Sequence, residues 1–156
     1  MLHRRSFLTA SAATLALPDA LEEPLAVEPA APNLNVLLVD DDSAVREVTA
    51  GILQDLGYRV VEAGSGGAAL EVLDRQSEID LLLVDFAMPG MNGADVARAA
   101  AGKRPGLPIL FVTGYADLAA MTSMTAHRVL RKPFEEADLA RQLATALGTS
   151  ASPRPA

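Results

Sequence analysis

Residues 80–85, with the sequence DLLLVD, form a short apolar run that ends in an aspartate. Consecutive apolar residues over this length are typical of a β-strand that is buried on both faces. Residues 35–39, NVLLV, form a similar run, which three aspartates follow. Further strands are predicted at 58–63 (YRVVEA), 108–113 (PILFVT) and 127–131 (HRVLR). The chain therefore contains five predicted strands.

Segments with helical periodicity separate these strands. Between residues 43 and 56, apolar residues recur at spacings of three and four, which predicts an amphipathic helix that ends at Gly57. Four more helices are predicted, at 65–75, 93–101, 116–124 and 134–147. Strands that alternate with helices form parallel sheets with crossover connections, so the sequence predicts an open, doubly wound α/β domain. In such domains the binding crevice lies at the carboxyl ends of the strands.

The composition of the chain excludes several classes of function. Its 156 residues suffice for one domain with a sizeable core. The 20 acidic residues outnumber the 13 basic ones, which argues against a nucleic-acid partner. The absence of cysteine excludes a disulfide framework and a thiolate metal site. No apolar run approaches the roughly 20 residues that a membrane helix needs, so no membrane partner is expected.

The two ends of the chain differ in composition from its middle. Four prolines between residues 18 and 32 predict a semi-extended linker, because proline fixes φ and removes a backbone donor. Arg4 and Arg5 precede an apolar run and resemble a twin-arginine export signal, although no convincing cleavage site follows. We expect residues 1–33 to form a disordered leader or linker, residues 34–148 to fold, and residues 149–156 to form a disordered tail.

Polar side chains follow four of the predicted strands. Residues 40–42 are three aspartates after the first strand, Asp85 ends the third, Thr113 ends the fourth, and Lys132 follows the fifth. Carboxylates packed together repel one another and have raised pKa values unless a cation joins them. Because all the ligand candidates are oxygen atoms, Mg²⁺ is the expected cation.

This group of residues suits phosphoryl transfer to a carboxylate. A carboxylate beside Mg²⁺ can attack phosphorus and form an acyl phosphate, and Asp85 is the best candidate because it ends a central strand. Asp40 and Asp41 would hold the metal. Lys132 would contact the phosphoryl group and Thr113 would hydrogen-bond it, which neutralises charge in the transition state.

Four segments taken together, LLVDDD, LLLVDFAMPGMNG, ILFVTG and LRKPF, resemble the receiver domain of two-component response regulators. The resemblance covers about residues 35–148. It implies a flavodoxin-like (βα)5 fold with a five-stranded parallel sheet in the order 2-1-3-4-5. It also implies a cytoplasmic phosphoprotein that catalyses its own phosphorylation and dephosphorylation and turns over no external substrate. Its partners would be a histidine kinase or histidine phosphotransfer protein and an unknown downstream protein that it signals to by direct contact.

The same resemblance assigns roles to individual residues. Asp85 would be the phosphoacceptor, and Asp40, Asp41 and the backbone carbonyl of Ala87 would complete the Mg²⁺ site with it. Thr113 would be the switch hydroxyl and Lys132 the lysine that contacts the phosphoryl group, followed by Pro133 in a cis peptide bond.

The chain departs from the receiver pattern at one position. Receivers usually carry an aromatic residue three positions before the lysine, and here that residue is Val129. The aromatic rotation that usually transmits phosphorylation cannot occur there. Tyr115, two residues after Thr113, is a possible substitute.

Three other interpretations compete with the phosphoacceptor. The sequence Asp40-x-Asp42 resembles the start of a haloacid-dehalogenase-type phosphatase motif, but Ala44 departs from it and Asp85 has no role there. Val129 keeps open a degenerate receiver that acts as a constitutive binding module. The chain could also be the carboxyl-terminal receiver of a hybrid histidine kinase. Asp42 by itself is expected to cap the first helix, and the Gly-rich residues 64–67 are expected to form a turn and helix start.

Overall fold

The structure, a computed structural model, describes residues 33–114, 117 and 128–148. Its strands and helices follow in this order: β1 (Asn35–Val39), α1 (Ser43–Asp55), β2 (Arg59–Ala63), α2 (Gly66–Arg75), β3 (Ile79–Asp85), α3 (Gly93–Lys103), β4 (Ile109–Thr113), β5 (Arg128–Arg131) and α4 (Glu136–Ala146). The predicted helix at 116–124 lies outside the described residues apart from Asp117, as do Tyr115, the tail and all of the leader except Asn33.

The five strands form one parallel sheet in the order β2-β1-β3-β4-β5. The predicted fold class and strand order are therefore confirmed. The strand order reverses between β1 and β3, and a crevice opens at the carboxyl ends of the strands at such a point. Val39 pairs with Val84 in the register of these two strands, so Asp40 and Asp85 follow at the same height.

The sheet has a hydrophobic core on each face. On one face, strand residues such as Leu37 and Leu82 pack with α2 and α3; on the other, residues such as Val36 and Leu83 pack with α1 and α4. Alternate side chains of a strand point to opposite faces, which explains why the runs are apolar throughout. Burying each of these side chains fully stabilises the fold by roughly 1.5–3 kcal/mol.

The helix starts follow from local capping. Asp42 accepts hydrogen bonds from the first turn of α1, as predicted. The turn and helix start expected at residues 64–67 are also present, with Ser65 as the cap that accepts from the N–H of Ala68. The last helix begins at Glu136 and not at Phe134, so that boundary was wrong. Glu135 is extended and caps the helix jointly with Asp138, and Phe134 packs against the core face that α1 and α4 cover. Across the described part of the chain, every helix is too short or too polar to cross a membrane.

Candidate functional site

Three carboxylates meet at the carboxyl edge of the sheet. Oxygen atoms of Asp40, Asp41 and Asp85 all lie within 4.8 Å of one another. Asp40 and Asp85 are buried, whereas Asp41 is exposed. The structure therefore brings together the three aspartates that the sequence assigned to one site, because β1 and β3 are neighbours and end at the same height.

The turn from β1 into α1 orients the first two of these aspartates. The backbone N–H of Asp40 donates to the carbonyl of Ala63 at 3.2 Å, and its carboxylate accepts from the N–H of Asp42 at 2.9 Å. Asp42 in turn caps α1 by accepting from the N–H groups of Ala44 and Val45. Asp41 is left between a strand end and a helix cap, so its side chain projects into solvent beside the buried pair.

Asp85 is held between one cation and two anions. Its Oδ2 lies 3.6 Å from Nζ of Lys132, and its Oδ1 accepts from the N–H of Ala87 at 3.4 Å. Burial is the main cause that raises the pKa of the Asp85 carboxyl, and the charges of Asp40 and Asp41 raise it further. Lys132 and the N–H of Ala87 act in the opposite direction without cancelling these effects. The site therefore carries more negative charge than its own residues neutralise.

The start of α3 contacts the backbone of Asp85. Gly93 donates its N–H to the carbonyl of Phe86 at 2.9 Å. A Cβ at residue 93 would lie 2.6 Å from the carbonyl oxygen of Asp85 and 2.7 Å from Cα of Phe86. These are backbone atoms that cannot rotate away, so glycine is required for the close approach. The loop between Asp85 and α3 is thereby folded back over the strand end.

Thr113 and Lys132 lie at the ends of β4 and β5. Thr113 is fully buried, and its hydroxyl donates to the carbonyl of Gly114 at 3.2 Å. Its own carbonyl accepts from the N–H of Lys132 at 2.8 Å, which ties the two strand ends together. The Lys132–Pro133 peptide is cis, as the resemblance implied. The Lys132 side chain is about a third exposed, so it spans from solvent to the buried Asp85.

Val129 occupies the position where receivers usually carry an aromatic residue. It pairs with Phe111 across β4 and β5 and packs, half-buried, against the core on the α2 and α3 face. An aliphatic side chain therefore fills this place in the sheet. Tyr115, the suggested substitute, lies outside the described residues.

The acidic cluster suits a small, hard cation. Its donors are carboxylate oxygens from two strand ends, and one of the three faces solvent, where water can complete an octahedral shell. The pKa of Asp85 is raised because its charge is buried and lies near two like charges. A bound cation would offset the unfavourable energy of these negative charges. The residues present therefore fit Mg²⁺.

Arg46 is a residue near the site that sequence reasoning missed. Its Nη1 donates to the carbonyl of Asp40 at 2.6 Å, and its Nε donates to Oε1 of Glu62 at 3.1 Å. One signal pointed to it. A cation near a helix N-terminus is disfavoured by the helix dipole, so Arg46 required a specific partner.

Comparisons with known proteins agree with this geometry. The family model of the response regulator receiver domain matches residues 36–144. The response regulator receiver protein CpdR of Brucella abortus is 37% identical over 111 residues, which cover 69% of this chain and 92% of that protein. The chemotaxis protein CheY1 of Helicobacter pylori is 32% identical over 123 residues, which cover 75% of this chain and 99% of that protein.

Solved structures give the same result. A response regulator receiver domain protein from Clostridium thermocellum superposes with a TM-score of 0.68 at 27% identity, covering 73% of this chain and 94% of that chain. The chain therefore belongs to the receiver domain family of two-component response regulators. The phosphatase interpretation fails on the structure as well, because the carboxylate of Asp42 caps α1 and Asp85 completes the acidic cluster.

Proposed function

We propose that this receiver domain accepts a phosphoryl group on Asp85 from a phosphohistidine of a histidine kinase or phosphotransfer protein. The observation that carries this proposal is the position of Asp85, which lies within 4.8 Å of two other carboxylates and 3.6 Å from the ammonium group of Lys132. A carboxylate in such a place can act as a nucleophile toward phosphorus once its neighbours are neutralised.

In this proposal Asp40, Asp41, Asp85 and the carbonyl of Ala87 hold Mg²⁺. The ion, when bound, neutralises charge on the carboxylates and on the phosphoryl oxygens. Lys132, whose Nζ lies 3.6 Å from Oδ2 of Asp85, supplies a second positive charge. Thr113 would hydrogen-bond a phosphoryl oxygen by turning its hydroxyl away from the carbonyl of Gly114.

The transfer is a displacement at phosphorus. A carboxylate oxygen of Asp85 forms the new P–O bond as the P–N bond to the donor imidazole breaks, and the imidazole nitrogen keeps that electron pair and takes up a proton. Hydrolysis later adds water at phosphorus, releases inorganic phosphate and restores the carboxylate. The proposed cycle takes place in the cytoplasm and ends in contact with a downstream protein.

The stand-alone type of receiver is the form that the relatives favour. CpdR and CheY1 are covered over 92% and 99% of their lengths, so both are little longer than one receiver domain. The carboxyl-terminal receiver of a hybrid kinase is the less favoured alternative.

The test is a titration of the full chain with beryllofluoride and Mg²⁺, followed through backbone amide shifts by NMR. Beryllofluoride stands in for the phosphoryl group and requires no kinase. We expect saturable, Mg²⁺-dependent shifts in the wild type and none with Asp85→Asn. Asp42→Asn is the matched control, because it removes one charge next to the site while asparagine preserves the helix cap.

A second function is favoured by one observation, the aliphatic, half-buried Val129 that packs against the core at the usual aromatic position. A domain that binds a partner constitutively needs no aromatic rotation. The same titration decides between the two functions. Absence of any response in the wild type would overturn the phosphoacceptor proposal and favour the constitutive module.

A further inference from the structure

Arg46 joins the ends of two neighbouring strands. Its guanidinium contacts the carbonyl of Asp40, which follows β1, and the carboxylate of Glu62, the last residue but one of β2. The arginine side chain is 20% exposed, whereas that of Glu62 is 43% exposed. The bond to Asp40, at 2.6 Å, is therefore the more buried of the two contacts.

These contacts complete the set of bonds that fix the peptide between Asp40 and Asp41. The N–H of Asp40 is held by Ala63 and its carboxylate by the N–H of Asp42, as described above. The carbonyl of Asp40 belongs to the same peptide unit as the N–H of Asp41. A group that holds this carbonyl therefore sets the direction in which the chain leaves β1 and the direction of the Asp41 side chain.

Gly64 provides independent evidence that the surrounding backbone leaves space for the guanidinium of Arg46. A Cβ at residue 64 would lie 3.3 Å from Nη1 and 3.8 Å from Cζ of Arg46. The glycine is otherwise exposed, so the arginine is the group that a side chain there would meet. The lack of a side chain directly after β2 therefore leaves room for the guanidinium of Arg46.

We infer that Arg46 is a positioning residue that aims the carboxylates of Asp40 and Asp41 at Asp85 for Mg²⁺ binding. The planar guanidinium suits this task because its donors point in fixed directions, one toward each strand end. The inference rests on the proposed function of the acidic cluster and adds a residue that touches neither the metal nor the phosphoryl group.

Two effects of removing Arg46 have opposite signs. Loss of a positive charge near a cation site would by itself tighten Mg²⁺ binding, since like charges repel. Loss of the support for a ligand peptide weakens binding, and groups that support metal ligands typically contribute about 10- to 100-fold in affinity. The sign of the change therefore separates a positioning residue from a mere neighbouring charge.

The test measures the Mg²⁺ dissociation constant of the folded full chain by NMR titration, for the wild type, Arg46→Gln and Arg46→Lys. We expect about tenfold weaker binding for Arg46→Gln. Arg46→Lys keeps the charge but replaces the two nitrogen donors that contact Asp40 and Glu62 with a single ammonium nitrogen, and we expect its Mg²⁺ binding to be weakened also. Arg98→Gln is the matched control, because it removes an exposed arginine with an ion pair to Asp95 and should leave the affinity unchanged.

The experiment distinguishes a failure of the inference about Arg46 from a failure of the proposed function. If the wild type binds Mg²⁺ and Arg46→Gln binds equally well or more tightly, the inference is overturned and the proposed site stands. If the wild type does not bind Mg²⁺, both are overturned. Should Arg46→Gln fail to fold, Gly64→Ala serves instead. It displaces the guanidinium by a few tenths of an ångström and is expected to weaken binding by a smaller factor, whereas Gly67→Ala, which has open space, is expected to have no effect.

Discussion

The amino edge of the sheet, where the strands begin, and the carboxyl edge, where they end, differ in how their charged side chains are neutralised. At the amino edge, the guanidinium of Arg104 donates four hydrogen bonds to the carbonyls of Leu73, Gln76, Ser77 and Ile79, at 2.8–3.4 Å. At the carboxyl edge, three carboxylates face one another and burial raises the pKa of Asp85. The first arrangement satisfies a cation with carbonyl dipoles, whereas the second concentrates anions near one partly exposed lysine.

The difference indicates which edge stabilises the fold and which edge the proposed function would use. Arg104 caps the end of α3 and fastens the connection between α2 and β3, so its bonds are all made within the folded domain. The carboxyl edge lacks comparable neutralisation, which is what a site for a cation and a phosphoryl group requires. The following experiments would break or sharpen this contrast, from the largest expected effect to the smallest.

Removing Arg104 should produce the largest loss of stability. We expect Arg104→Ala to lower the free energy of unfolding by about 2–3 kcal/mol, because charge-assisted bonds to four carbonyls are lost and only part of them is replaced by water. Urea unfolding monitored by circular dichroism measures this. Arg98→Ala, with one exposed ion pair, should change stability by less than about 0.5 kcal/mol. Equal effects of the two variants would show that the bonds of Arg104 at the amino edge contribute no more stability than a surface ion pair.

Adding a methyl group at Gly93 should be the next largest effect. We expect Gly93→Ala to destabilise the domain by about 1–3 kcal/mol, since its Cβ would meet backbone atoms of Asp85 and Phe86. Gly102→Ala in the same helix has open space and should stabilise it by about 0.5–1 kcal/mol. Thermal unfolding of both variants gives the comparison. A neutral Gly93→Ala would show that the strand end and α3 are less tightly joined than the structure indicates.

Neutralising Asp85 should stabilise the domain in the absence of metal. Asp85→Asn removes one of three mutually repelling carboxylates, and we expect a gain of about 0.5–2 kcal/mol, as for other stabilising substitutions at functional sites. The loss of the ion pair to Lys132 is minor because that lysine reaches solvent. Urea unfolding with a chelator present measures the gain. Adding Mg²⁺ should then stabilise the wild type more than the variant. If Asp85→Asn is instead less stable than the metal-free wild type, the carboxyl edge does not hold unneutralised negative charge as the comparison requires.

The pH dependence of the free energy of unfolding should report on Asp85 as well, with a smaller effect than its replacement by asparagine. Because the folded-state pKa of Asp85 is raised above its ordinary value of 3.8, the folded domain holds this proton more tightly than the unfolded chain. The resulting stabilisation is complete below the ordinary pKa and is lost as the pH rises through the raised one. Metal-free wild type should therefore lose stability relative to Asp85→Asn over that pH window. A constant difference between the two proteins across the window would exclude the raised pKa.

Much of the candidate site could be predicted from the sequence because parallel strands place their ends at one edge. Asp40 and Asp85 each follow an apolar strand, so their proximity followed once the strands were predicted to be neighbours. Arg46 could not be found in this way, since its partners are 16 residues away at Glu62 and on the backbone of Asp40. Arg104 was missed for the same reason, because its acceptors are backbone carbonyls that carry no sequence signal.

The sequence by itself determined the alternation of strands and helices, the cap at Asp42, and the residues that end each strand. Those features depend on local periodicity and on side chains that bond to nearby backbone. Tertiary structure decided the close approach of Gly93 to Asp85, the start of α4 at Glu136 and the burial that raises the pKa of Asp85. These depend on distances between segments far apart in the chain, which are fixed only when the two cores pack against the sheet.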